Sequence, residues 1–473
     1  MYSKKVLWVV TAFRRLMVLE YLPFKANPHW LPRQKQSAIR DIPGENGLPF
    51  VGNTFRMLRD PGAFGRHMIA KYGPVFRNNA FGGPTVTLVG AEANELVLFD
   101  RDRVFSSEQG WGPLLNLLFP RGLMLMDFEK HRADRKVMAV AFKPEPMRHY
   151  VETLNAGIAR EVATWGHRPL RFYDAIKALT LDLAAESFLG MPLGEEANRI
   201  NQAFVDEVQA SITPIRIPLP GTQMRKGVKA RAYLIDLFKA EIPARRAGDG
   251  QDFFSQFCRA TGDDGQPLSA DAIADHMNFL MMAAHDTITS SATSLVMLLG
   301  RNPEWQEKLR TEIGELGLND GGVLPYGQLD RLELTDMAFK EALRMIPPVP
   351  SLPRRAIKDF DFGGYRIPAG STVSVSVAYT HMMPELWNDP QRFDPLRFLP
   401  EAVRARHKYA WVPFGGGAHM CLGLHFATMQ IRILMTQLLS RYRIELDAGS
   451  GVEWQAWPIP QPKDGLPLRF VPL

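Results

Sequence analysis

The stretch Phe414–Gly423, FGGGAHMCLG, places Cys421, one of only two cysteines in the chain, behind a run of glycines. Glycine adopts backbone conformations and close approaches that a Cβ resists, so the amides just before Cys421 can converge on its sulfur. Residues 422–442 follow with helical periodicity, which directs the positive end of a helix dipole at the sulfur. The stretch therefore predicts a stabilised thiolate at the start of a helix.

A single thiolate in such surroundings suits a haem iron. Soft sulfur is a good ligand for iron, and a cysteine ligand pushes electron density onto haem so that an O–O bond can be cleaved. A buried, inert cysteine after a glycine turn is one alternative. Zinc is another, because His419 and His425 flank Cys421, but a structural zinc site uses four ligands and the sequence has no second cysteine pair.

The pattern Phe-x-x-Gly-x-His-x-Cys-x-Gly resembles the haem-binding signature of the cytochrome P-450 superfamily, the haem-thiolate monooxygenases. The family more often has arginine at the position of His419, although histidine also occurs there. The resemblance implies that haem b is the cofactor and that Cys421 is the ligand of its iron. It also implies that Phe414, Gly415, His419 and Gly423 contact the haem.

A long apolar helix is predicted from Ala270 to Leu299, with Ser269 as its cap and Pro303 beyond its end. Such a helix has roughly thirty residues and is about 45 Å long at the standard rise. Because it is apolar on nearly all sides, we expect it to run through the core.

The middle of this helix, MMAAHDTITSS, contains an acid and a hydroxyl among apolar side chains. It resembles the family's oxygen-binding groove, with Ala283 at one small-residue position and Ala284 in place of the more frequent glycine. The resemblance implies that Thr287 hydrogen-bonds the reacting oxygen and that Asp286 helps to deliver protons. A local alternative is that Thr287 donates to the carbonyl of Ala283, as mid-helix threonines often do.

Three charged residues downstream resemble the family's buried ion triad. Glu341 and Arg344 lie three residues apart, which is a common spacing on helices, and Arg397 follows in the segment FDPLRF. Two guanidinium groups can satisfy one buried carboxylate and support the cysteine loop from behind. The long helix, the Glu-x-x-Arg pair, the Arg397 segment and the cysteine loop occur in the family's order.

Basic residues elsewhere match positions that bind haem propionates in the family. His131 and Arg135 lie four residues apart on a predicted helix and would otherwise be surface residues. Arg354 matches a propionate-binding arginine, and Arg355 is the alternative if the register differs by one residue.

The segment from Phe105 to Met126 is predicted to be irregular and unusually apolar. In the family this region roofs the substrate pocket, so the resemblance implies a hydrophobic pocket, and packing on the core is the alternative. The expected pocket residues are Trp111, Leu114, Leu118, Phe279, Val349 and Ser351.

Two regions are predicted along the chain. Residues 1–40 would be an amphipathic segment and linker, in which residues 1–24 resemble an interfacial helix that lies on a membrane surface or, alternatively, packs on the protein. Residues 41–473 would be one haem-thiolate monooxygenase domain. The resemblance implies a mainly α (α+β) fold class, with a small β-sheet region and the haem between the long helix and the cysteine-ligand helix.

Composition limits the partners and the location. The chain is basic, with a net charge of +6 and a pI near 9.2. Because its basic residues are scattered and form no Lys/Arg tract, no nucleic-acid partner is expected. The two distant cysteines argue against a disulfide framework and favour a reducing, cytoplasmic location, with peripheral membrane contact as a further expectation.

The resemblance implies hydroxylation or epoxidation of an apolar small molecule such as a sterol, terpenoid, retinoid or fatty acid, with O₂ as co-substrate. No flavin-binding or nicotinamide-binding extension is visible, so a separate ferredoxin or flavin protein is expected to deliver electrons. Two alternatives are a haem-thiolate isomerase or dehydratase and a non-enzymatic haem-binding or lipid-binding protein. Basic residues near the ligand segments could attract an acidic electron carrier: Lys130, Arg132, Lys136, Lys143, Arg404, Arg406 and Lys408.

Overall fold

The computed structural model describes most of the chain from residue 29 onwards. The predicted interfacial helix at residues 1–24 lies outside the described residues, and the division at residue 40 stays a prediction. The described ranges are 29–81, 83–167, 169–213, 216–263, 265–447 and 451–473.

Helices dominate the fold, as predicted. The α-helices are α1 (Thr54–Arg59), α2 (Pro61–Tyr72), α3 (Ala91–Asn94), α4 (Ser107–Leu115), α5 (Phe128–Met138), α6 (Pro144–Val162), α7 (Phe172–Leu189), α8 (Glu195–Ser211), α9 (Gln223–Ala247), α10 (Phe253–Arg259), α11 (Ala270–Arg301), α12 (Pro303–Glu315), α13 (Glu333–Met345), α14 (Val377–Thr380), α15 (Pro400–Ala405) and α16 (Leu424–Leu439). Short 3₁₀ helices cover Gln36–Ile39, Leu123–Leu125, Ala139–Phe142, Trp165–His167, Tyr326–Arg331, Pro395–Phe398 and Gly417–His419, and a π-helical turn covers Glu95–Phe99.

The strands form small sheets at the side of the helical body. The largest sheet has the order β1-β2-β3-β9-β6-β4, in which β1–β2 and β3–β9 are the parallel pairs. The strands are β1 (Gly44–Glu45), β2 (Val75–Ala80), β3 (Gly83–Leu88), β4 (Phe105–Ser106), β5 (Leu170–Arg171), β6 (Leu352–Ala356), β7 (Phe360–Phe362), β8 (Tyr365–Ile367), β9 (Thr372–Val375), β10 (Tyr442–Leu446), β11 (Trp454–Gln455), β12 (Gln461–Pro462) and β13 (Pro467–Pro472).

The long helix forms where the sequence predicts it. The hydroxyl of Ser269 accepts a hydrogen bond from the amide of Ala272 at 3.2 Å, which caps α11. The helix ends at Arg301, two residues beyond the expected end, just before Pro303 begins α12. It packs against α7, α9 and α13, and most of its residues are buried. The prediction of a core-crossing helix is confirmed.

The segment from Phe105 to Met126 is more regular than predicted, because it contains α4. The hydroxyl of Ser106 caps this helix by accepting from the amide of Gln109 at 2.9 Å. The carboxylate of Asp127 accepts from the first amide of the helix at 2.7 Å. Asp127 follows the helix by more than ten residues, so the local sequence pattern did not reveal this second cap. The expectation of an irregular segment was wrong for α4.

Candidate functional site

The cysteine loop is a tight hairpin that delivers Cys421 to the start of α16. The amide of Cys421 donates to the carbonyl of Phe414 at 2.8 Å, which closes the loop. Gly415 and Gly417 have φ values of 72° and 60°, which side chains with a Cβ rarely adopt. A Cβ on Gly417 would also lie only 2.2 Å from the carbonyl oxygen of Leu98. The glycines therefore set the shape of the loop, as the sequence predicts.

The sulfur of Cys421 is surrounded by protein atoms and yet keeps accessible surface. Burial raises the pKa of the thiol, and the Gly423 amide and the charge of Arg135 act in the opposite direction without cancelling it. The amide that bonds the sulfur thus follows Cys421, whereas the sequence pattern predicts donors before it. A metal ion bound to this sulfur would favour the thiolate.

Four basic side chains meet beside the loop. The rings of His131 and His419 pack together at a tilt of 34°, with centroids 4.0 Å apart. Burial, with the nearby charges of Arg354 and Arg135, lowers the pKa of His131 to about 4 and that of His419 to about 2. Burial likewise lowers the pKa of Arg354 to about 10. These groups come from α5, β6 and the cysteine loop, so the fold brings together the residues that the sequence predicts.

The cation cluster, which we define as Arg135 and Arg354 with the neutral imidazoles of His131 and His419, forms no ion pair with a carboxylate among the described residues. The guanidinium of Arg354 donates to the carbonyl of Pro353 at 2.9 Å, and no ion pair to Arg354 or Arg135 is found there. Distant carboxylates only moderate the charge of Arg354. One buried and one partly buried guanidinium group without a paired carboxylate, beside two imidazoles that can each donate an N–H, form a site for an anionic ligand. Arg355 instead donates to the carbonyl of Gly370 at 3.0 Å, which favours Arg354 over Arg355 in this role.

The middle of α11 carries the acid and the hydroxyl. The hydroxyl of Thr287 donates to the carbonyl of Ala283 at 2.8 Å, which is the local alternative that the sequence left open. Residues 282–284, Asp286 and Thr287 are only partly buried, although the helix is buried on both sides of them. This stretch, which includes Ala284, therefore borders space inside the fold.

Two side chains that the sequence analysis did not single out lie beside Asp286. Its Oδ1 lies 3.0 Å from Nδ1 of His285 and 3.7 Å from Nζ of Lys177 on α7. Burial alone would raise the pKa of Asp286, but the contacts with His285 and Lys177 lower it overall. The carboxylate is therefore ionised. His285 could have been suspected from its place beside Asp286, whereas Lys177 is distant in the sequence.

The predicted ion triad is present in full. Glu341 accepts from Nε of Arg344 at 2.7 Å, from Nη2 of Arg344 at 2.8 Å and from Nε of Arg397 at 3.3 Å. The amide of Asp394 donates to the same carboxylate at 3.0 Å. The side chains of Glu341 and Arg344 are both fully buried, so the charges depend on one another for compensation.

His381 connects the triad to the cysteine loop, and no sequence pattern indicated this connection. Its carbonyl accepts from Nη1 of Arg344 at 2.9 Å, while its Nε2 accepts from the amide of Val412 at 3.0 Å. Burial, with the charge of Arg344, lowers the pKa of His381 to about 3, which keeps the ring neutral and able to accept. Val412 lies two residues before Phe414, so the triad positions the loop through this ring.

The expected pocket residues divide into two groups. Leu114, Val349 and Ser351 are partly exposed, and Trp111 is 9% exposed. Leu118 is fully buried, so its side chain packs in the core rather than bordering open space.

Phe279 is also buried. Its ring stands edge-on to that of Phe119 with centroids 6.2 Å apart. A Cβ on Gly122 would lie 2.2 Å from the Phe279 ring, so this glycine allows the roof to approach α11 closely.

A polar network holds the roof against the helices. Nε of Arg231 on α9 donates to the carbonyl of Leu118 at 2.7 Å, and its guanidinium also binds Asp275 on α11. Nε of Arg121 in the roof lies 3.6 Å from the same carboxylate. The run of basic residues in which Arg231 lies is typical of a solvated helix face, but the ion pair with Asp275 holds Arg231 partly buried. The partner lies 44 positions away in the sequence, where periodicity gives no information.

The zinc alternative finds no support in the part of the chain that the structure describes, where no three His, Cys, Asp or Glu side chains are grouped to hold a metal ion. In the same residues, no helix combines the length and the apolar character that crossing a bilayer requires.

Comparisons with known proteins agree with this geometry. Residues 42–458 match the family model described as Cytochrome P450. A Mycobacterium tuberculosis relative named cytochrome P450 136 is 36% identical over 92% of this chain and 89% of its own length. Cytochrome P450 26C1 of Mus musculus is 31% identical over 94% of this chain and 90% of its own length. A solved structure described as "Retinoic acid bound cyanobacterial CYP120A1" is 31% identical, covers 94% of this chain and 100% of that one, and has a TM-score of 0.83.

Proposed function

Because this chain belongs to the cytochrome P450 family and is a haem b-dependent monooxygenase, we propose that it hydroxylates or epoxidises an elongated apolar small molecule with electrons from a separate protein. The observation that carries the proposal is the arrangement of Cys421 beside the cation cluster, with the triad behind its loop. The substrate class and the electron donor are the parts that go beyond family membership.

The residues at the site suit haem. Cys421 is an exposed residue whose thiol could bind the iron, and the guanidinium groups of Arg135 and Arg354 offer positive charge for the propionates. When bound, haem activates O₂ with two electrons, and its cysteine ligand favours O–O cleavage. His131 and His419 would donate to propionate oxygens as imidazolium ions or through one ring N–H each, and Arg354 through its remaining N–H groups.

Thr287 and Asp286 are suited to move protons towards oxygen. Rotation of the Thr287 side chain would release its hydroxyl from the Ala283 carbonyl and present it to a reacting oxygen. The ionised Asp286 can accept a proton at Oδ1 from Lys177 or His285 and release it towards Thr287 Oγ1. Lys177 has partial solvent access, which would allow the relay to draw protons from water.

An elongated isoprenoid is the substrate class that we favour. The roof supplies apolar side chains such as Trp111 and Leu114, while Val349 continues the apolar lining from the strand side. The similar cyanobacterial protein was solved with bound retinoic acid, which is an elongated isoprenoid acid. Such an apolar wall suits an elongated isoprenoid.

A ferredoxin or a flavin protein is the proposed electron donor. Lys130, Arg132 and Lys143 are exposed near the cysteine loop and would attract an acidic carrier. Arg406 does not belong to this surface, because its guanidinium stacks on Trp387 at 4.2 Å and is partly buried. The exposed residues left from the predicted set are Lys130, Arg132, Lys136, Lys143, Arg404 and Lys408.

We also propose a cytoplasmic location with peripheral membrane contact, which an exposed apolar patch supports. The patch lies on α1 and two neighbouring turns, and the amide of Phe81 joins it to α1 by donating to the hydroxyl of Thr54 at 2.8 Å. Apolar side chains grouped at protruding turns can enter the headgroup region of a bilayer. The patch consists of Leu48 (61% exposed), Phe50 (57%), Phe55 (64%), Leu58 (43%) and Phe81 (46%).

Two measurements test the central proposal. The absorption spectrum of the reduced, carbon monoxide-bound protein should show a thiolate-ligated haem, and a Cys421→His variant should lose that spectrum. Product formation from isoprenoid probes should require O₂ and a reconstituted electron donor. A colourless protein after haem supplementation, or a histidine-ligated spectrum for the unchanged protein, would refute it.

The surface proposals are tested by substitution with matched controls. Lys130→Glu and Arg132→Glu should slow reduction by an acidic carrier and flatten its salt dependence, whereas Lys226→Glu on exposed α9 should not. Phe50→Ser with Phe55→Ser should reduce co-sedimentation with phosphatidylglycerol vesicles. Val323→Ser, at a site that is 67% exposed elsewhere, is the control for general loss of surface hydrophobicity.

A further inference from the structure

Arg216 is a partly buried cation in the connection between α8 and α9. Its Nη1 donates to the carbonyl of Ser211 at 2.9 Å, and its Nη2 donates to the carbonyl of Leu114 at 2.6 Å. Burial lowers the pKa of Arg216, and no carboxylate of the described residues opposes that effect or pairs with the group. The other N–H groups of this guanidinium have no hydrogen-bonding partner in the described part of the chain.

The guanidinium of Arg216 contacts the segment that we expect to roof the substrate site, through the carbonyl of Leu114. Leu114 belongs to the last turn of α4, and α4 packs on β6. Near its other end, a Cβ on Gly110 would lie 2.6 Å from Cα of Arg354, which belongs to the cation cluster. Gly110 and Leu114 are about 6 Å apart along the helix axis. Arg216 and the backbone of Arg354 therefore approach the roof helix about one turn apart.

The two backbone contacts explain only part of the arrangement. A cation near the last carbonyls of a helix is favourable, so Arg216 stabilises the C-terminal end of α4. Neutral carbonyl groups do not, however, neutralise a guanidinium that burial has partly separated from water. An anion that enters with a ligand would do so, and the flat fork of N–H groups matches a carboxylate.

We propose that Arg216 binds the carboxylate of an elongated apolar carboxylic acid and thereby determines a preference of the enzyme for acids over the corresponding alcohols. The inference rests on the proposed function, because it assumes that an apolar substrate lies beneath α4. The apolar body of the acid contacts roof residues such as Trp111 and Leu114, while its carboxylate replaces water at the free N–H groups of Arg216.

Binding to the haem-loaded full-length protein tests this directly. Dissociation constants are measured from the haem absorption change with two pairs of probes, retinoic acid with retinol and hexadecanoic acid with 1-hexadecanol. We expect tighter binding of each acid, and Arg216→Met should raise the dissociation constants of the acids about tenfold to hundredfold, as for the loss of a charged hydrogen bond. The values for the alcohols should change less than about threefold.

Two further variants separate ligand binding from helix stabilisation. Arg216→Lys keeps the charge and should restore part of the preference for acids. Arg225→Met removes an exposed arginine of α9 and should leave both probe types unaffected. If Arg216→Met weakens acids and alcohols equally, or lowers the thermal midpoint without changing the acid-to-alcohol ratio, the residue is only structural and the proposal is wrong.

The outcome can be distinguished from failure of the proposed function. A wild-type protein that binds no acid, or that does not prefer acids, overturns the role of Arg216 even if it oxidises retinol. A protein that prefers acids but forms no oxidised product retains this role while the oxidation of isoprenoids fails.

Discussion

Replacement of Glu341 by alanine is the sharpest test of how the cysteine loop is held. The side chains of Glu341 and Arg344 are fully buried, and Arg397 is largely buried beside them. The substitution leaves two guanidinium groups without their shared anion and the amide of Asp394 without its acceptor. Removal of one member of a buried ion pair costs about 3–5 kcal/mol. We expect a loss in that range in the free energy of unfolding.

Urea unfolding, together with the ratio of haem to protein after purification, measures this effect. Asp330→Ala is the matched control, because Asp330 is 99% exposed while it pairs with Arg432 at 2.9 Å. The control should cost less than about 1 kcal/mol, as exposed ion pairs do. Glu341→Gln keeps the shape of the side chain but not its charge. Its loss in the free energy of unfolding should lie between those of Glu341→Ala and Asp330→Ala. Full haem content with a loss no larger than that of the control would refute the role of the triad.

Three further predictions concern the site. Thr287→Ala should leave haem content unchanged but divert electrons to hydrogen peroxide, and an unchanged ratio of peroxide to product would contradict the proton-delivery role. Arg354→Met should accelerate haem transfer to an acceptor protein several-fold because one cation for a propionate is lost, and a rate equal to that of the unchanged protein would exclude this contact. The buried His381 binds a proton less readily when folded than when unfolded, since its pKa falls from 6.5 to about 3. Its contribution to stability is therefore present above pH 6.5 and is lost as the pH falls towards 3. The difference in urea midpoint between the unchanged protein and His381→Gln should shrink over that window, and a pH-independent difference would contradict the assignment.

Local patterns in the sequence were sufficient for the parts of the site that are built from contiguous residues. The glycine turn before Cys421 and the cap at Ser269 depend only on neighbours in the chain. Both structures could therefore be predicted from the sequence. Glu341 and Arg344 are also local, since they face the same side of one helix. Mainly helical architecture with small sheets was predicted for the same reason.

Contacts between distant segments explain what the sequence did not reveal. Lys177 reaches Asp286 from another helix, and Val412 reaches His381 from another loop. Neither Lys177 nor Val412 carries a local signal for its contact, because a single residue has no periodic pattern that could predict a distant partner. Arg231 is a further case, because its basic neighbours in the sequence are typical of an exposed helix face. In the fold, Asp275 from a distant helix binds its guanidinium and covers it.

Because His381 contacts both Arg344 and the amide of Val412, the geometry around the sulfur depends on whether the ion triad has formed. A newly made chain in which the triad has not assembled cannot fix Val412, so its cysteine loop would be open to proteases and oxidants. Inherited substitutions at the triad should therefore show themselves as low cellular abundance of the enzyme rather than as altered product profiles.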